Sequence, residues 1–213
     1  KIDGLTVVLH YENGILIKGA TRGDGEIGED ITANLRTIRS IPLRIPVETS
    51  DLTVPETLVV RGEVYMLSRD FLELNKKLEE NGEKTYQNPR NTAAGSLRQL
   101  DPRVTRERPL NVLTYTIVDS SAKLANTQWE TLTMLKKLGF PVSDVSEYCK
   151  DFQEVINRVD FWMERRDSIP YEVDGVVIKL DNLELSNDLG VAGKDPRGAI
   201  ALKQLHSTVL TLR

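Results

Sequence analysis

The spacing of apolar and polar residues changes period several times along the chain. Leu5 to Tyr11 alternates loosely and is rich in Val and Leu, which predicts a strand. Glu12-Asn13-Gly14 follows, then Ile15-Leu16-Ile17. Asn-Gly between two such runs predicts a hairpin, because both residues tolerate positive φ. Thr21 to Asp30 holds three glycines, four acids and Arg22, and reads as a loop. A short helix is expected over Ile31 to Arg39, ended by Pro42 and Pro46. Leu58 to Met66 is the next strand, with Arg61, Glu63 and Tyr65 on one face and Val60, Val64 and Met66 on the other. Ser68 is the expected N-cap of a helix carrying Phe71, Leu74 and Leu78 and stopped by Gly82. Asn88 to Asp101 reads as a turn and a short Ala-rich helix closed by Pro102, and Leu110 to Val118 as a strand.

Two more helices follow. Thr127 with Glu130 forms a capping box, and Leu135 and Leu138 precede Gly139. Asp151 with Glu154 is a similar start, followed by the stripe Phe152, Val155, Ile156, Val159, Trp162 and Met163, whose aromatic members read as core. Tyr171 to Leu180 and Ala199 to Lys203 return to strands. There is no solenoid-length repeat and no low-complexity segment. Strands at both ends with helices between predict one α+β domain over 1–213, with mostly antiparallel sheets and flanking helices.

Composition narrows the function classes. No apolar run approaches the roughly 20 residues of a membrane helix, so no membrane partner is expected, and no signal-peptide pattern opens the chain. Lone Cys149 cannot form an internal disulfide, which suits a reducing cytoplasm. With His10 and His206 as the only histidines, neither a Cys/His zinc site nor a Ser-His-Asp or Cys-His enzyme is supported. The net charge of −4 argues against a basic coat for nucleic acid, though not against a local patch. Arg90, Arg98, Arg103, Arg106 and Arg108 stand against Asp101 and Glu107, a local net of +3.

Several predicted strands carry charges: Lys1 and Asp3, Arg61 and Glu63, Asp174 and Lys179, and Lys203. A lysine and a carboxylate side by side are either a nucleophile with its electrostatic partner or a solvated strand end. An edge lysine is often only a guard against aggregation. Lys179 and Lys203, however, follow Val176-Val177-Ile178 and Ala199-Ile200-Ala201-Leu202, runs that read as buried on both faces, which would draw these lysines into a site. Cations converging on a pocket suggest an anionic ligand, with phosphate the commonest. No Walker A, GxGxxG or kinase signature offers a backbone alternative. A second cation would also lower the pKa of a lysine nucleophile, and Mg²⁺ is the usual helper of phosphoryl chemistry. Glu63 could bind a ribose hydroxyl or the metal, or pair with Arg61 or another arginine.

These residues fall within recognisable motifs. Lys1-Ile2-Asp3-Gly4, Thr21-Arg22-Gly23-Asp24-Gly25, Arg61-Gly62-Glu63-Val64, Asn88 to Gln99, and Asp174 to Lys179 occur in the family order of bacterial NAD-dependent DNA ligases. Over its whole length the chain resembles their adenylation domain, and the Asn88–Gln99 block is characteristic of the NAD-dependent branch. The resemblance implies a nucleotidyltransferase (ATP-grasp-like) fold and NAD and Mg as cofactors. Lys1 would attack the adenylyl phosphorus of NAD⁺, forming an AMP-lysine, and the AMP would then pass to a 5′-phosphate at a DNA nick. Glu63 would hold the ribose. Arg22, Lys179 and Lys203 would line the phosphate side, with Asp3 and Asp174 in the same site. Arg90 and Arg98 would lie towards nicked double-stranded DNA. The expected state is a monomer.

The sequence also departs from the family. Gly198 stands where a tryptophan is usual, Leu202 replaces an aromatic, and Gln204 to Thr208 replaces Phe-Pro and an acidic pair, so the packing around Lys203 should differ. Thr92 replaces an alanine. The domain that binds the nicotinamide mononucleotide half, the upstream strand with its adenine-reading glutamate, and the OB-fold, zinc, helix-hairpin-helix and BRCT modules are absent from the sequence. The domain is therefore expected to be cut at its N-terminal edge and unable to seal DNA in isolation. The rival readings are an ATP-dependent nucleotidyltransferase using the same lysine and a degenerate DNA-binding module.

Overall fold

A computed structural model describes residues 1–23, 28–46, 53–193 and 195–203. Strands β1 (Leu5–Glu12) and β2 (Ile15–Thr21) form the hairpin that Asn13-Gly14 predicts. The two turn residues have φ of 49° and 73°, which suits a turn that matches strand twist. β1 also pairs antiparallel with β3 (Thr57–Met66), and β3 with β4 (Leu110–Ser120), giving a four-stranded sheet ordered β2-β1-β3-β4.

Alternation along these strands separates two faces. Val7, Leu9, Tyr11, Val60, Val64 and Met66 are buried in the main core. That core also takes residues from α1 (Thr32–Leu35), α2 (Ser68–Glu80), α3 (Pro89–Leu97) and α5 (Gln128–Lys137). Buried Asn34 ties α1 to α4 (Pro102–Arg106) by donating to Gln99 O at 2.8 Å and Thr105 Oγ1 at 2.7 Å. The opposite face carries Thr6, Arg61, Glu63 and Tyr115, all partly buried.

After α6 (Phe152–Glu164), β5 (Gly175–Lys179) pairs antiparallel with β8 (Ala199–Lys203) in a two-stranded ribbon. Between them lie α7 (Leu183–Asp188) and the small hairpin of β6 (Val191–Ala192) and β7 (Asp195–Pro196). The ribbon joins the large sheet through a second core of Tyr65, Leu113 and Tyr171, with Ile2, Leu67, Ile169 and Val173 packed around it. The result is the expected α+β domain with antiparallel sheets and flanking helices.

Several local expectations change. The helix expected over Ile31 to Arg39 is only α1. Ile31 offers no side-chain cap, and the Thr37 hydroxyl bonds back to Asn34 O at 2.7 Å while the chain tightens into i→i+3 turns. Ser68 is the first helical residue rather than the cap, which is Leu67 without a side-chain bond. Pro102 opens α4 behind an Asp101 cap. No residue of α6 is buried, and Phe152 is 76% exposed, so its stripe is not core. The ribbon strands are not buried on both faces either: Val177, Ile200 and Leu202 are exposed. A two-stranded ribbon has too little cover to enclose every apolar position.

Leu9, fully buried, should therefore cost about 2–5 kcal/mol when changed to Ala. Phe152→Ala should cost under about 1 kcal/mol, as for other exposed positions. Urea unfolding of the two variants checks this, and a reversed order would contradict the assignment of the core.

Candidate active site

The N-terminal residues add a short strand to the segment that leads into β5. Asp3 N donates to Glu172 O at 2.9 Å, Asp174 N donates to Lys1 O at 3.0 Å, and Lys1 N donates to Gly175 O. Ile2 pairs with Val173. This places Lys1 Nζ 2.5 Å from Asp174 Oδ2. Two glycines allow the approach. A Cβ on Gly4 would sit 2.3 Å from Val64 O, and one on Gly175, whose φ is +144°, would sit 1.9 Å from Leu202 O.

Asp3 faces α3, where it accepts from Arg90 Nη1 at 2.8 Å. Glu63 projects from β3 opposite Thr6 of β1 and accepts from its hydroxyl at 3.0 Å. Burial pushes the Glu63 carboxyl up to about 7, against the Thr6 hydrogen bond and the charges of Arg90 and Lys1. Arg90 acts on Glu63 at a distance, and its own ion pair is with Asp3.

Lys179 closes the other side. Its ammonium donates to Thr116 Oγ1 at 3.1 Å, Tyr115 O at 3.3 Å and Gln128 Oε1 at 3.4 Å, and lies 5.1 Å from the Tyr115 ring centroid. The start of α5 fixes this arrangement: Gln128 N and Trp129 N donate to the backbone and side chain of Asp181, just beyond β5. Burial lowers Lys179 to about 8, and the charge of Arg61 adds to the shift. Arg22 and Arg61 also act on Tyr115, whose phenol burial raises to about 12.

Lys203 pairs with Gly175 in the ribbon, so strand alternation puts it on the same face as Lys179. Its side chain is exposed. Arg98 stands apart, paired with Glu29 at 3.3 Å and eight residues along α3 from Arg90, a rise of about 12 Å. In the same stretch Arg103 is paired with Asp101, and Arg108 lies over the Tyr86 ring.

The structure thus brings together Lys1, Asp3, Asp174, Glu63, Arg90, Arg22 and Lys179. It adds Thr6, Arg61, Tyr115 and Gln128, which the sequence reading did not assign to the site. Arg61 was visible as a strand charge; the other three carry no signal of their own. Two buried polar atoms, Arg61 Nε and Asp174 Oδ1, have no hydrogen-bond partner among the described residues. Buried polar atoms are nearly always paired, so these two mark where a polar ligand would be satisfied.

Comparison with known proteins identifies the family of the chain. The family model of the NAD-dependent DNA ligase adenylation domain matches residues 1–206. The chain belongs to that family. It is 53% identical over 210 residues to the DNA ligase of Roseiflexus castenholzii, covering 95% of this chain and 29% of that protein. It is 52% identical over 209 residues to that of Chloroflexus aurantiacus (95% and 30%) and 48% identical over 211 residues to that of Bacillus cytotoxicus (99% and 30%). The chain therefore spans about 30% of the length of these relatives.

Two of the residues where the resemblance implies a departure have a clear physical setting. Gly198 is buried against α7, where a Cβ would lie 2.0 Å from Ser186 Oγ, so any larger side chain here would need Ser186 to give way. Leu202 meets Phe152, Val155 and Val159 of α6 across a small apolar cavity. Gln204 to Thr208 lies outside the described residues. Among the described residues no helix is long and apolar enough to cross a membrane.

The shifts of Glu63 and Lys179 fix a pH dependence of stability between pH 4.5 and 10.5. Glu63 titrates higher in the folded chain than its ordinary 4.5, so the folded state holds more protons between pH 4.5 and 7 and loses stability as pH rises through that window. Lys179 titrates lower than 10.5, so stability is regained as pH rises from about 8 to 10.5. Glu63→Gln should therefore raise stability by about 1–3 kcal/mol at pH 8 and change it little at pH 5. Thermal melts at the two pH values check this, and equal effects at both would contradict it.

Proposed function

We propose that this chain is the adenylating domain of an NAD⁺-dependent DNA ligase, with Lys1 as the nucleophile. The observation that carries this reading is the 2.5 Å contact of Lys1 Nζ with Asp174 Oδ2 at the mouth of a cationic cleft. A lysine attacks only after losing its proton, and Asp174 stands where it can receive that proton. The Nζ lone pair forms the N–P bond to the adenylyl phosphorus, and the P–O bond to nicotinamide mononucleotide breaks. Cations along the cleft offset charge on the phosphoryl oxygens. Arg61 and Lys179 are buried or partly buried there, and Arg22 and Lys203 lie alongside. Glu63 accepts a ribose hydroxyl. The AMP then passes to a 5′-phosphate at a nick in duplex DNA, with Arg90 and Arg98 facing the backbone. The setting is cytoplasmic and the acting unit a monomer.

Mg²⁺ fits the reaction better than it fits Glu63. Glu63 is mostly buried, already bonded to Thr6, and half protonated near neutral pH. No group of three or more His, Cys, Asp or Glu among the described residues is placed to hold a metal. Mg²⁺ commonly binds through substrate phosphates and one or two carboxylates, and no step here is assigned to it.

The test grafts this chain in place of the matching segment of the Roseiflexus castenholzii ligase. Incubation with NAD⁺ should add the mass of one AMP, and Lys1→Ala should abolish the gain. No adduct, or one that survives Lys1→Ala, contradicts the reading. Adenylation by ATP and not by NAD⁺ would reassign the domain to the ATP-dependent nucleotidyltransferases.

A further inference from the structure

Thr6 supports Glu63 through a single hydroxyl hydrogen bond. It stands on β1 directly opposite Glu63 of β3 and donates to Glu63 Oε2 at 3.0 Å. Tyr115 of β4 faces Glu63 from the neighbouring strand. Tyr115 in turn supports Lys179 with its ring face and its carbonyl. Nothing in the strand requires a hydroxyl at this position. β1 needs a β-branched residue of this size, and valine would meet that need equally well. The oxygen of Thr6 therefore serves the cleft.

We propose that Thr6 is a positioning residue that aims the Glu63 carboxylate at the sugar of the bound nucleotide. This rests on the reading of Glu63 as the ribose holder. The charged and titratable groups facing Glu63 come from several elements. Arg90 on α3 and Lys1 favour the carboxylate, and Asp3 opposes it. Tyr115 faces it from β4, itself under the influence of Arg61 and Arg22. Burial is the largest effect on Glu63 and favours the neutral acid, and the Thr6 hydrogen bond is the largest effect in the other direction. Burial outweighs that bond, so Glu63 titrates near 7, and losing the hydroxyl shifts it further towards the neutral form. A neutral Glu63 carries its own O–H and is a poorer acceptor for a ribose hydroxyl.

The test follows the carboxyl carbon of Glu63 by NMR against pH in the unliganded chain, and measures AMP affinity across the same range. Thr6→Val should move the Glu63 midpoint up by about one to two pH units. It should weaken AMP binding about tenfold at pH 7.5, with the loss recovered at higher pH. Thr6→Ser should restore both, which a purely structural role of the side chain would not predict. If Thr6→Val does not fold, as judged by circular dichroism, Thr6→Ala carries the same comparison. An unmoved Glu63 midpoint overturns this proposal alone. A moved midpoint with AMP affinity unchanged at every pH overturns the assignment of Glu63 to the ribose, and the proposal with it.

Discussion

The pairing of residues 1–3 with 172–175 is the contact on which the site depends. It is short, but it makes the first residues a shared edge between the large sheet and the β5–β8 ribbon. It sets Lys1 against Asp174 and, through Gly175, fixes the start of the strand that ends in Lys179. The small core of Tyr65, Leu113 and Tyr171, with the Tyr65 and Tyr171 rings in contact, packs the two sheets together at this junction. Glycine is needed at positions 4 and 175 because backbone carbonyls pass where a Cβ would stand. The conservative-looking change of either glycine to alanine would therefore separate Lys1 from Asp174 before it disturbed the main core.

The cleft is costly to build. It buries a carboxyl that would otherwise ionise near 4.5 and an ammonium that would otherwise hold its proton to 10.5, and each is shifted towards neutral pH. It also leaves Arg61 Nε and Asp174 Oδ1 unpaired. Functional sites commonly carry such unfavourable electrostatics, supported by a well-packed scaffold. Here the scaffold is the opposite face of the same sheet, where Val7, Leu9, Val60 and Val64 are fully buried. On the proposed reading, a nucleotide with a phosphate and a sugar would supply the missing partners.

Much of this was legible in the sequence. The Asn13-Gly14 turn, the Thr127–Glu130 capping box and the division of β3 into a charged and an apolar face follow from local chemistry, and all three hold in the structure. Charges set within apolar strands pointed to Lys1, Glu63, Asp174 and Lys179 because burying a charge requires a compensating partner. What was not legible depends on tertiary context. The α6 stripe has the period of a core helix, yet the neighbour it meets most is the two-stranded ribbon, and none of its residues is buried. Thr6 and Gln128 look like ordinary strand and helix residues. Their roles come from which side chains the fold sets opposite them.

The most direct measurement is a crystal structure of this chain with AMP bound. If the junction of the two sheets is the adenylation site, the phosphate should lie within reach of Lys1 Nζ and a ribose hydroxyl should bond to Glu63. Arg61 Nε and Asp174 Oδ1 should each gain a partner from the nucleotide or its ordered water. AMP bound elsewhere, or bound in the cleft with its phosphate turned away from Lys1 and both atoms still unpaired, would contradict that assignment.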